Sequence, residues 1–433
     1  MTTRTAFDQV FRNAVTRTSA TPVDIGVSGG RIAAIAPHLA CDAVEIDIRG
    51  RLVLPGFVDT HIHLDKACLL GRCGHGQSSL KDAIAAVAVM KRDFTVEDVY
   101  ARGARVIERA IVHGTTRMRT HVEIDPRIGL RSFEAIKILK RDYAWAIDLS
   151  LCVFPQEGLT NDPGADELLV TALRDGAGAI GGCPYTDTDP NAQIARIFDL
   201  ARDYDLDVDF HLDFDLDPSW SHMDEVCRQT ERRNYHGRVA IGHATKLSAM
   251  PPEQLREATL RLAQAGVAVT VLPATDLYLM GRDATHNAPR GLTLAHRLVE
   301  QGVLCSVATN NVLNPFTPFG DASLLRMANF YANVAQAGIA PSFRGMRSMN
   351  PESRSHHLWI PRCAIAHLRF APVGAPRNDA RLNRRCARAD LHYTAAVGAS
   401  RQGIQSLVTG PSAEAGRRRF RVATSGVLNF KGP

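Results

Sequence analysis

The sequence predicts an α/β fold, a TIM (β/α)8 barrel preceded by a small N-terminal β-domain. From residue 57 onward, apolar strand-like runs alternate with helical patterns. From the second run onward they recur about every 30 residues, the repeat of a strand–helix unit. Short strands separated by turns come before them. The eight predicted barrel strands are residues 57–64, 116–124, 148–154, 179–183, 207–212, 239–243, 267–272 and 303–308.

The small β-domain is predicted over residues 1–56. Residues 23–27 form one strand-like run, Ser28, Gly29 and Gly30 form a turn, and residues 31–35 return. Glycine pairs between two such runs are typical of a β-hairpin.

The helix between the first two barrel strands has clear end signals. Thr95 and Asp98 form a start that resembles a capping box, and Gly114 is placed to end the helix. Apolar residues between them follow a 3.6-residue spacing, which predicts a face buried in the core. Gly103 lies on that face and would let a neighbouring element approach closely.

Size and composition favour a globular protein of the cytoplasm. The 433 residues suffice for one large barrel and a smaller accessory domain. Nine scattered cysteines without a Cys-x-x-Cys pair are typical of reduced thiols. Residues 1–15 contain no apolar h-region of a secretory signal, and no apolar run approaches membrane-spanning length. We therefore expect cytoplasmic localisation and no membrane partner.

His61 and His63 are the most informative pair in the chain. They end the first barrel strand, and residues two apart on a strand point to the same side. Neutral imidazoles at this spacing suit a divalent metal such as zinc or iron. A bare His-x-His is more often an exposed pair, but here Pro55 and Gly56 precede the strand and Asp65 and Lys66 follow it.

Further histidines end other barrel strands, where TIM barrels build their active sites. His211 ends the fifth predicted strand and His243 ends the sixth. A lone histidine at such a position is more often structural. Four histidines at the ends of the first, fifth and sixth strands favour one shared site.

The chain resembles the cytosine deaminase branch of the amidohydrolase superfamily, whose members are metal-dependent hydrolases built on a TIM barrel. The Pro-Gly before the first strand and the His-x-His-x-Asp-Lys form carry the superfamily resemblance, and that form is also similar to the N-isopropylammelide isopropylaminohydrolases. The resemblance covers roughly residues 20–340. The branch resemblance is carried by residues 120–123 (Thr-His-Val-Glu), 154–158 (Phe-Pro-Gln-Glu-Gly), 242–245 (Gly-His-Ala-Thr), 289–293 (Pro-Arg-Gly-Leu-Thr) and 314–320 (Asn-Pro-Phe-Thr-Pro-Phe-Gly).

The resemblance implies a role for each matching residue. His61, His63 and His211 would hold one divalent metal ion, zinc or iron. His243 would lie beside the attacking water or the attacked ring carbon. Gln156 would bind the polar edge of a flat heterocycle, since an amide offers both a donor and an acceptor.

Two positions depart from the branch pattern. The glutamate that carries protons in the branch is replaced by Phe214, and the metal-binding aspartate of the eighth strand is replaced by Asn310, followed by Asn311. We assign both asparagines to substrate binding. Losing one general acid or base typically costs roughly 10²–10⁴-fold in rate.

Other groups are candidates to replace the missing acid or base. Asp213 shares the inward parity of His211, and Lys66 is placed to anchor or protonate a substrate. Asp65, Glu123 and Asp215 are further candidates. The alternative for each is a hydrogen bond to a metal-bound histidine, and for Asp213 we hold both interpretations open.

The chain changes character near residue 340, so we predict the barrel over residues 57–340 and an atypical Arg-rich tail over 341–433. Residues 344–433 hold 15 Arg and one Lys against four acids, a net charge of +12. The tail lacks the Ala-Asp-Leu-Val-like strand with which superfamily members complete the small β-domain. We favour an out-of-frame translation, because the composition changes abruptly and the family ending is missing. The alternatives are a disordered extension and a nucleic-acid-binding segment, and the second is disfavoured because the arginines are irregularly spaced and no RNA-binding motif is present.

The predicted function is hydrolysis of a non-peptide C–N bond in a small heterocyclic substrate, namely deamination of a cytosine-like pyrimidine or a triazine. The alternative is a catalytically impaired relative that binds a heterocycle or metal without efficient turnover, motivated by Phe214 and Asn310. We do not expect nucleic acid as a partner. The loop at residues 314–321 is compatible with a homo-oligomer.

Overall fold

The computed structural model describes residues 6–16, 19–73 and 79–337. Within these residues, four strands form a small sheet and eight form a parallel barrel sheet, which confirms the predicted fold class. The predicted tail, residues 341–433, lies outside the described residues, so the domain boundary near residue 340 stays a prediction. The strands of the small sheet are β1 (Gln9–Thr16), β2 (Ser19–Ser28), β3 (Arg31–Ala36) and β4 (Val44–Asp47).

The small sheet has the order β3-β2-β1-β4. Strands β2 and β3 form the predicted antiparallel hairpin. Its turn needs two residues with positive φ, and Gly29 and Gly30 supply them at 56° and 72°. Strand β1 pairs with β4 in parallel. The inward residues form a small core of their own, consisting of Phe11, Ala14, Ile25 and Val27.

The barrel sheet runs in chain order and closes on itself. The segment that follows the last strand meets the end of the first strand through a parallel bridge between Ile62 and Asn310. The Asn310 N–H donates to the His61 carbonyl and the His63 N–H donates to the Asn310 carbonyl, both at 2.9 Å. The strands are β5 (Phe57–Ile62), β6 (Thr115–Glu123), β7 (Asp148–Phe154), β8 (Ala179–Ile180), β9 (Asp207–Leu212), β10 (Val239–His243), β11 (Val267–Val271) and β12 (Cys305–Val307).

All eight predicted barrel strands are present, but β5, β8, β11 and β12 are shorter than predicted, β11 by one residue. Strand β8 covers two residues because Gly181 and Gly182 follow it and Pro184, which has no N–H for a sheet, begins a 3₁₀ turn. The apolar run at residues 179–183 is buried throughout, whereas residues 304, 306 and 307 of the run at 303–308 are only half-buried, and neither run indicates the extent of strand pairing.

Helices separate the barrel strands and bury their apolar faces against them. Helix α2 begins as predicted, with the Thr95 side chain accepting from the Asp98 N–H, and buries Val99, Val106 and Ile107. A Cβ at Gly103 would collide with Leu139, which confirms the close approach predicted there. The helices are α1 (Leu80–Met90), α2 (Val96–Val112), α3 (Arg131–Asp142), α4 (Ala165–Arg174), α5 (Pro190–Asp203), α6 (Met223–Arg232), α7 (Pro252–Ala265), α8 (Pro273–Leu279), α9 (Ala295–Glu300) and α10 (Leu324–Val334).

No cysteine of the described residues is part of a disulfide. Cys363 and Cys386 lie outside the described residues. Among the helices described, none combines the length and apolar character needed to cross a membrane.

Candidate metal centre and active site

Three histidine side chains meet at the carboxyl ends of β5 and β9. His61 lies on β5, His63 directly follows it, and His211 lies on β9. The Nε2 atoms of His61 and His63 each lie 3.1 Å from the Nε2 atom of His211. All three side chains are buried. The structure therefore brings together the three residues predicted as metal ligands.

The spacing and chemistry of these nitrogens fit one divalent metal ion. Metal–nitrogen bonds of about 2.0–2.1 Å place neighbouring ligand nitrogens roughly 3.0–3.4 Å apart. Burial, reinforced by neighbouring histidine rings, lowers the pKa of each of the three rings well below its usual value, and the Lys66 charge adds to this effect at His63 and His211. Each ring is then neutral near pH 7, the form that binds a metal.

Ring packing sets the planes of these histidines. The His61 ring stacks on the His121 ring with a centroid distance of 3.7 Å and an angle of 22°. The His211 ring stacks on Phe154 at 4.5 Å and 22°. Among the described residues, the Nδ1 atoms of His61, His63 and His211 have no hydrogen-bond partner, so aromatic neighbours orient them instead of a carboxylate.

His121 adds a fourth buried ring beside the three. Its Nε2 atom lies 3.5 Å from a carboxylate oxygen of Asp209, which also accepts from Arg119 at 3.2 Å. His61, His121 and Asp209 form a second group with the composition of a metal site. The first group fits better, because two stacked rings direct their in-plane lone pairs side by side and not toward one point.

His243 pairs with an aspartate whose role the sequence analysis missed. Its Nδ1 atom lies 2.6 Å from Oδ1 of Asp276, which is on α8 after β11. The second oxygen of Asp276 accepts from the Leu272 N–H at 3.1 Å. Phe214 stacks on the His243 ring at 3.7 Å and 20°. The sequence could have indicated this pair, because His243 ends β10 and Asp276 follows β11. These two strands are parallel neighbours, and parallel strands end at the same edge of a sheet.

Lys66 and Gln156, for which the sequence predicts separate roles, lie side by side. The Lys66 ammonium donates to Glu123 at 2.7 Å and to the Gln156 Oε1 atom at 3.2 Å. The Gln156 amide in turn donates to the Cys183 sulfur at 3.2 Å. The ammonium also lies 4.6 Å from the centroid of the Phe316 ring. This arrangement places an ammonium and an amide side by side on one buried surface, which we call the Lys66–Gln156 wall.

A second buried lysine, Lys91, lies in a 3₁₀ turn after α1 and contacts Glu123, the carboxylate that also pairs with Lys66 in the Lys66–Gln156 wall. Its ammonium donates to Glu123 at 2.9 Å, to Asp125 at 2.5 Å and to Glu157 at 2.6 Å. Burial alone would raise the pKa of Glu123, but Lys66 and Lys91 outweigh it and lower that pKa to about 2. Burial and the nearby Glu123 charge raise the pKa of Glu157 to about 7. The sequence analysis missed Lys91 because it is not at a strand end.

The Asp213 carboxylate is hydrogen-bonded to the segment that leads into α6. It accepts from the Ser221 hydroxyl and, at 3.1 Å, from the His222 N–H just before α6. Asp213 itself has a positive φ of 50°, which breaks the alternation on which its predicted inward parity depended. Burial raises its pKa. Its catalytic role stays a prediction.

The two asparagines after β12 have different surroundings. Asn310 is fully buried, and neither atom of its side-chain amide has a hydrogen-bond partner among the described residues. The Asn311 Oδ1 atom accepts from the Asn314 amide at 2.7 Å. Asn310 also bonds the main chain of His61 and His63, so it lies beside the metal-binding strand. The substrate-binding roles of both stay predictions.

Comparisons with known proteins agree with this geometry. The model of the amidohydrolase family matches residues 52–370. A pterin deaminase of Rhizobium rhizogenes is 31% identical over 307 residues, which are 69% of each chain. An N-isopropylammelide isopropyl amidohydrolase of Pseudomonas sp. is 27% identical over 331 residues, 74% of this chain and 79% of the relative.

Solved structures give the same result. A 5-methylcytosine deaminase from Klebsiella pneumoniae, liganded with 5-fluorocytosine, has a TM-score of 0.72 and 26% identity, with 77% of this chain and 82% of that chain covered. The N-isopropylammelide isopropylaminohydrolase from Burkholderia multivorans has a TM-score of 0.67 at 24% identity, covering 78% and 83%, and shows the shared fold. The predicted resemblance to the cytosine deaminase branch is thereby confirmed.

Proposed function

The chain belongs to the amidohydrolase family, and we propose that it hydrolyses a non-peptide C–N bond on a pyrimidine, pterin or triazine ring. The observation that carries the proposal is the convergence of His61, His63 and His211 beside His243, whose ring centroid lies 5.7 Å from that of His211. The relatives named above, two deaminases and a hydrolase of an N-alkylated triazine, support this range of substrates.

Each group in the site has a proposed task. The three histidines would hold a zinc or iron ion, which when bound supplies the Lewis acidity that makes water a nucleophile near neutral pH. His243 would move a proton at its Nε2 atom. Lys66 would donate to a ring oxygen and Gln156 would bind the adjacent ring edge. The burial of all these groups strengthens their hydrogen bonds to a substrate.

The roles of the remaining predicted residues are part of the proposal. Asn310 and Asn311 would contact the substrate near the end of β12, where the buried Asn310 amide has unused hydrogen-bonding capacity. Asp213 would serve as an acid or base after its bonds to Ser221 and His222 rearrange.

Metal content and amine release test the proposal together. Elemental analysis should find about one equivalent of zinc or iron in the purified protein, and none in His61→Ala. His236→Ala is the matched control, because the His236 Nδ1 atom lies 3.0 Å from the Ala265 carbonyl, away from the site. Full metal content in His61→Ala would contradict the assigned ligands.

The metal-loaded protein should then be incubated with pterin, cytosine, 5-methylcytosine and N-isopropylammelide. We expect release of ammonia from one of the first three or of isopropylamine from the last, and no release by His63→Ala. Absence of release from all four by a folded, metal-loaded protein would contradict the proposed activity.

A second candidate function is binding of a heterocycle without efficient turnover. Two observations favour it: the Phe214 ring covers a face of His243 at 3.7 Å, and Asn310 offers an amide instead of a carboxylate. A phenyl ring transfers no proton. If this candidate is right, the double variant Phe214→Glu with Asn310→Asp should increase cytosine deamination. No gain from a folded, metal-loaded double variant would count against it.

A further inference from the structure

We propose that Asp276 is a positioning residue for His243, which holds the Nδ1 atom protonated and so makes Nε2 the atom that accepts and returns the proton during C–N hydrolysis. The chemical part of this inference rests on the proposed function. The tautomer of His243 does not, because it follows from the contacts around the ring.

The geometry of the pair supports a carboxylate that accepts a proton from the ring. The Nδ1 to Oδ1 distance of 2.6 Å is short, as in hydrogen bonds with a charged partner. Asp276 and His243 are both buried, so no bulk water competes for this bond. The Leu272 N–H holds the other carboxylate oxygen at 3.1 Å. Asp276 therefore cannot turn away without losing a main-chain bond.

The ring of His243 is held from other directions as well. Phe214 covers one face in a stacked arrangement. The main chain takes positive φ values at His243 (68°) and Ala244 (48°), which are costly for residues other than glycine. The Thr293 hydroxyl holds the Ala244 carbonyl at 2.7 Å. Strain kept in place by such contacts is typical of a residue whose orientation matters.

These contacts leave Nε2 for the substrate. Among the described residues, the His243 side chain makes its hydrogen bond through Nδ1, to Asp276, and none through Nε2. With Nδ1 protonated, Nε2 carries the lone pair. It can take a proton from water as the water oxygen bonds to the ring carbon, and then give that proton to the leaving nitrogen. The C–N bond breaks, a neutral amine departs, and no group is oxidised or reduced.

The tautomer can be measured without any turnover. We would record ¹H–¹⁵N correlation spectra of the zinc-loaded protein labelled with ¹⁵N-histidine, with His243→Gln to assign the signals. We expect a pyrrole-type signal at Nδ1 and a pyridine-type signal at Nε2 of His243, and loss of this pattern in Asp276→Asn. Asp207→Asn is the matched control, a buried carboxylate paired with Arg238 at the amino end of β9.

A wild-type protein with the proton on Nε2 would overturn the inference, and this result does not depend on whether Asp276→Asn folds. An unchanged His243 pattern in a folded Asp276→Asn would overturn it as well. The expected tautomer together with no amine release from any test compound would instead count against the proposed function alone.

Turnover separates a positioning role from a general structural one. On whichever compound is hydrolysed, Asp276→Asn should lower kcat by about 10²-fold or more. In a His243→Gln background the same substitution should change kcat little, because residues that act through one another are not additive. An equal loss of kcat in both backgrounds would refute the positioning role.

Discussion

Replacing Lys91 with methionine should destabilise the protein strongly, although Lys91 lies outside every predicted motif. Its side chain is 1% exposed, and its ammonium contacts Glu123, Asp125 and Glu157. Methionine fills a similar volume but leaves these carboxylates short of one positive charge. Lys66 remains near Glu123, and Arg127 remains near the other two.

The structure sets the size of the effect. The interval between the usual Glu123 pKa of 4.5 and its value of about 2 corresponds to about 3 kcal/mol, which Lys91 shares with Lys66. Asp125 and Glu157 add to the loss, and breaking a buried ion pair on one side typically costs about 3–5 kcal/mol. We expect the free energy of unfolding to fall by about 3 kcal/mol at neutral pH.

Urea unfolding followed by circular dichroism would measure this loss. Lys137→Met is the matched control, because Lys137 pairs with Asp175 at the surface, where an ion pair contributes only about 0–1 kcal/mol. A loss in Lys91→Met below about 1 kcal/mol, no larger than in the control, would refute the reasoning.

The pH dependence provides a second check. Because the folded pKa of Glu123 lies below its usual value, its contribution is present above about pH 4.5 and is lost as the pH falls toward about 2. Wild type and Lys91→Met differ in the free energy of unfolding, and the share of this difference that comes from Glu123 should therefore persist at about pH 5 and decrease below about pH 4.5. A Glu123 contribution that grows on acidification would contradict the assigned charges.

Two further predictions follow from close contacts. Gly181→Ala should cost about 2 kcal/mol or more in unfolding free energy, because its Cβ would collide with the Asp209 carbonyl oxygen. A Cβ at Gly71 meets no atom of the described residues within 4 Å, so Gly71→Ala should stay within about 0.5 kcal/mol. Equal urea midpoints for the two variants would contradict this. Lys66→Met should lower kcat/KM by roughly 10-fold or more on the hydrolysed compound, because one hydrogen bond from a charged donor is lost. Elemental analysis should show unchanged metal content, and unchanged kcat/KM would argue against a substrate contact.

Much of the fold could be predicted because its signals are local. The repeat of apolar runs indicates eight strands, and the hairpin turn at Gly29 and Gly30 needs only the conformations that glycine allows. The helix start at Thr95 depends on atoms three residues apart. The extents of β8 and β12 were not predictable, because pairing depends on a neighbouring strand that the run itself does not specify.

The candidate site divides in the same way. Alternation along a strand determines that His61 and His63 face one side, and eight repeats imply that His211 ends near them. Strand alternation did not predict the surroundings of the Asp213 side chain, because the main chain has a positive φ there and the carboxylate bonds Ser221 and His222.

The sequence by itself determined the α/β class, the order of the strands and the residues offered at their ends, because these follow from periodicity and local conformation. Tertiary structure decided which charges meet: Asp276 with His243, and Lys91 with Glu123, 33 and 32 residues apart in the chain. The physical reason is burial. A charged group that is excluded from water is stable only if a partner of opposite charge or a hydrogen-bonding group lies beside it. Which groups are buried, and which partners they meet, is determined by the packing of the barrel.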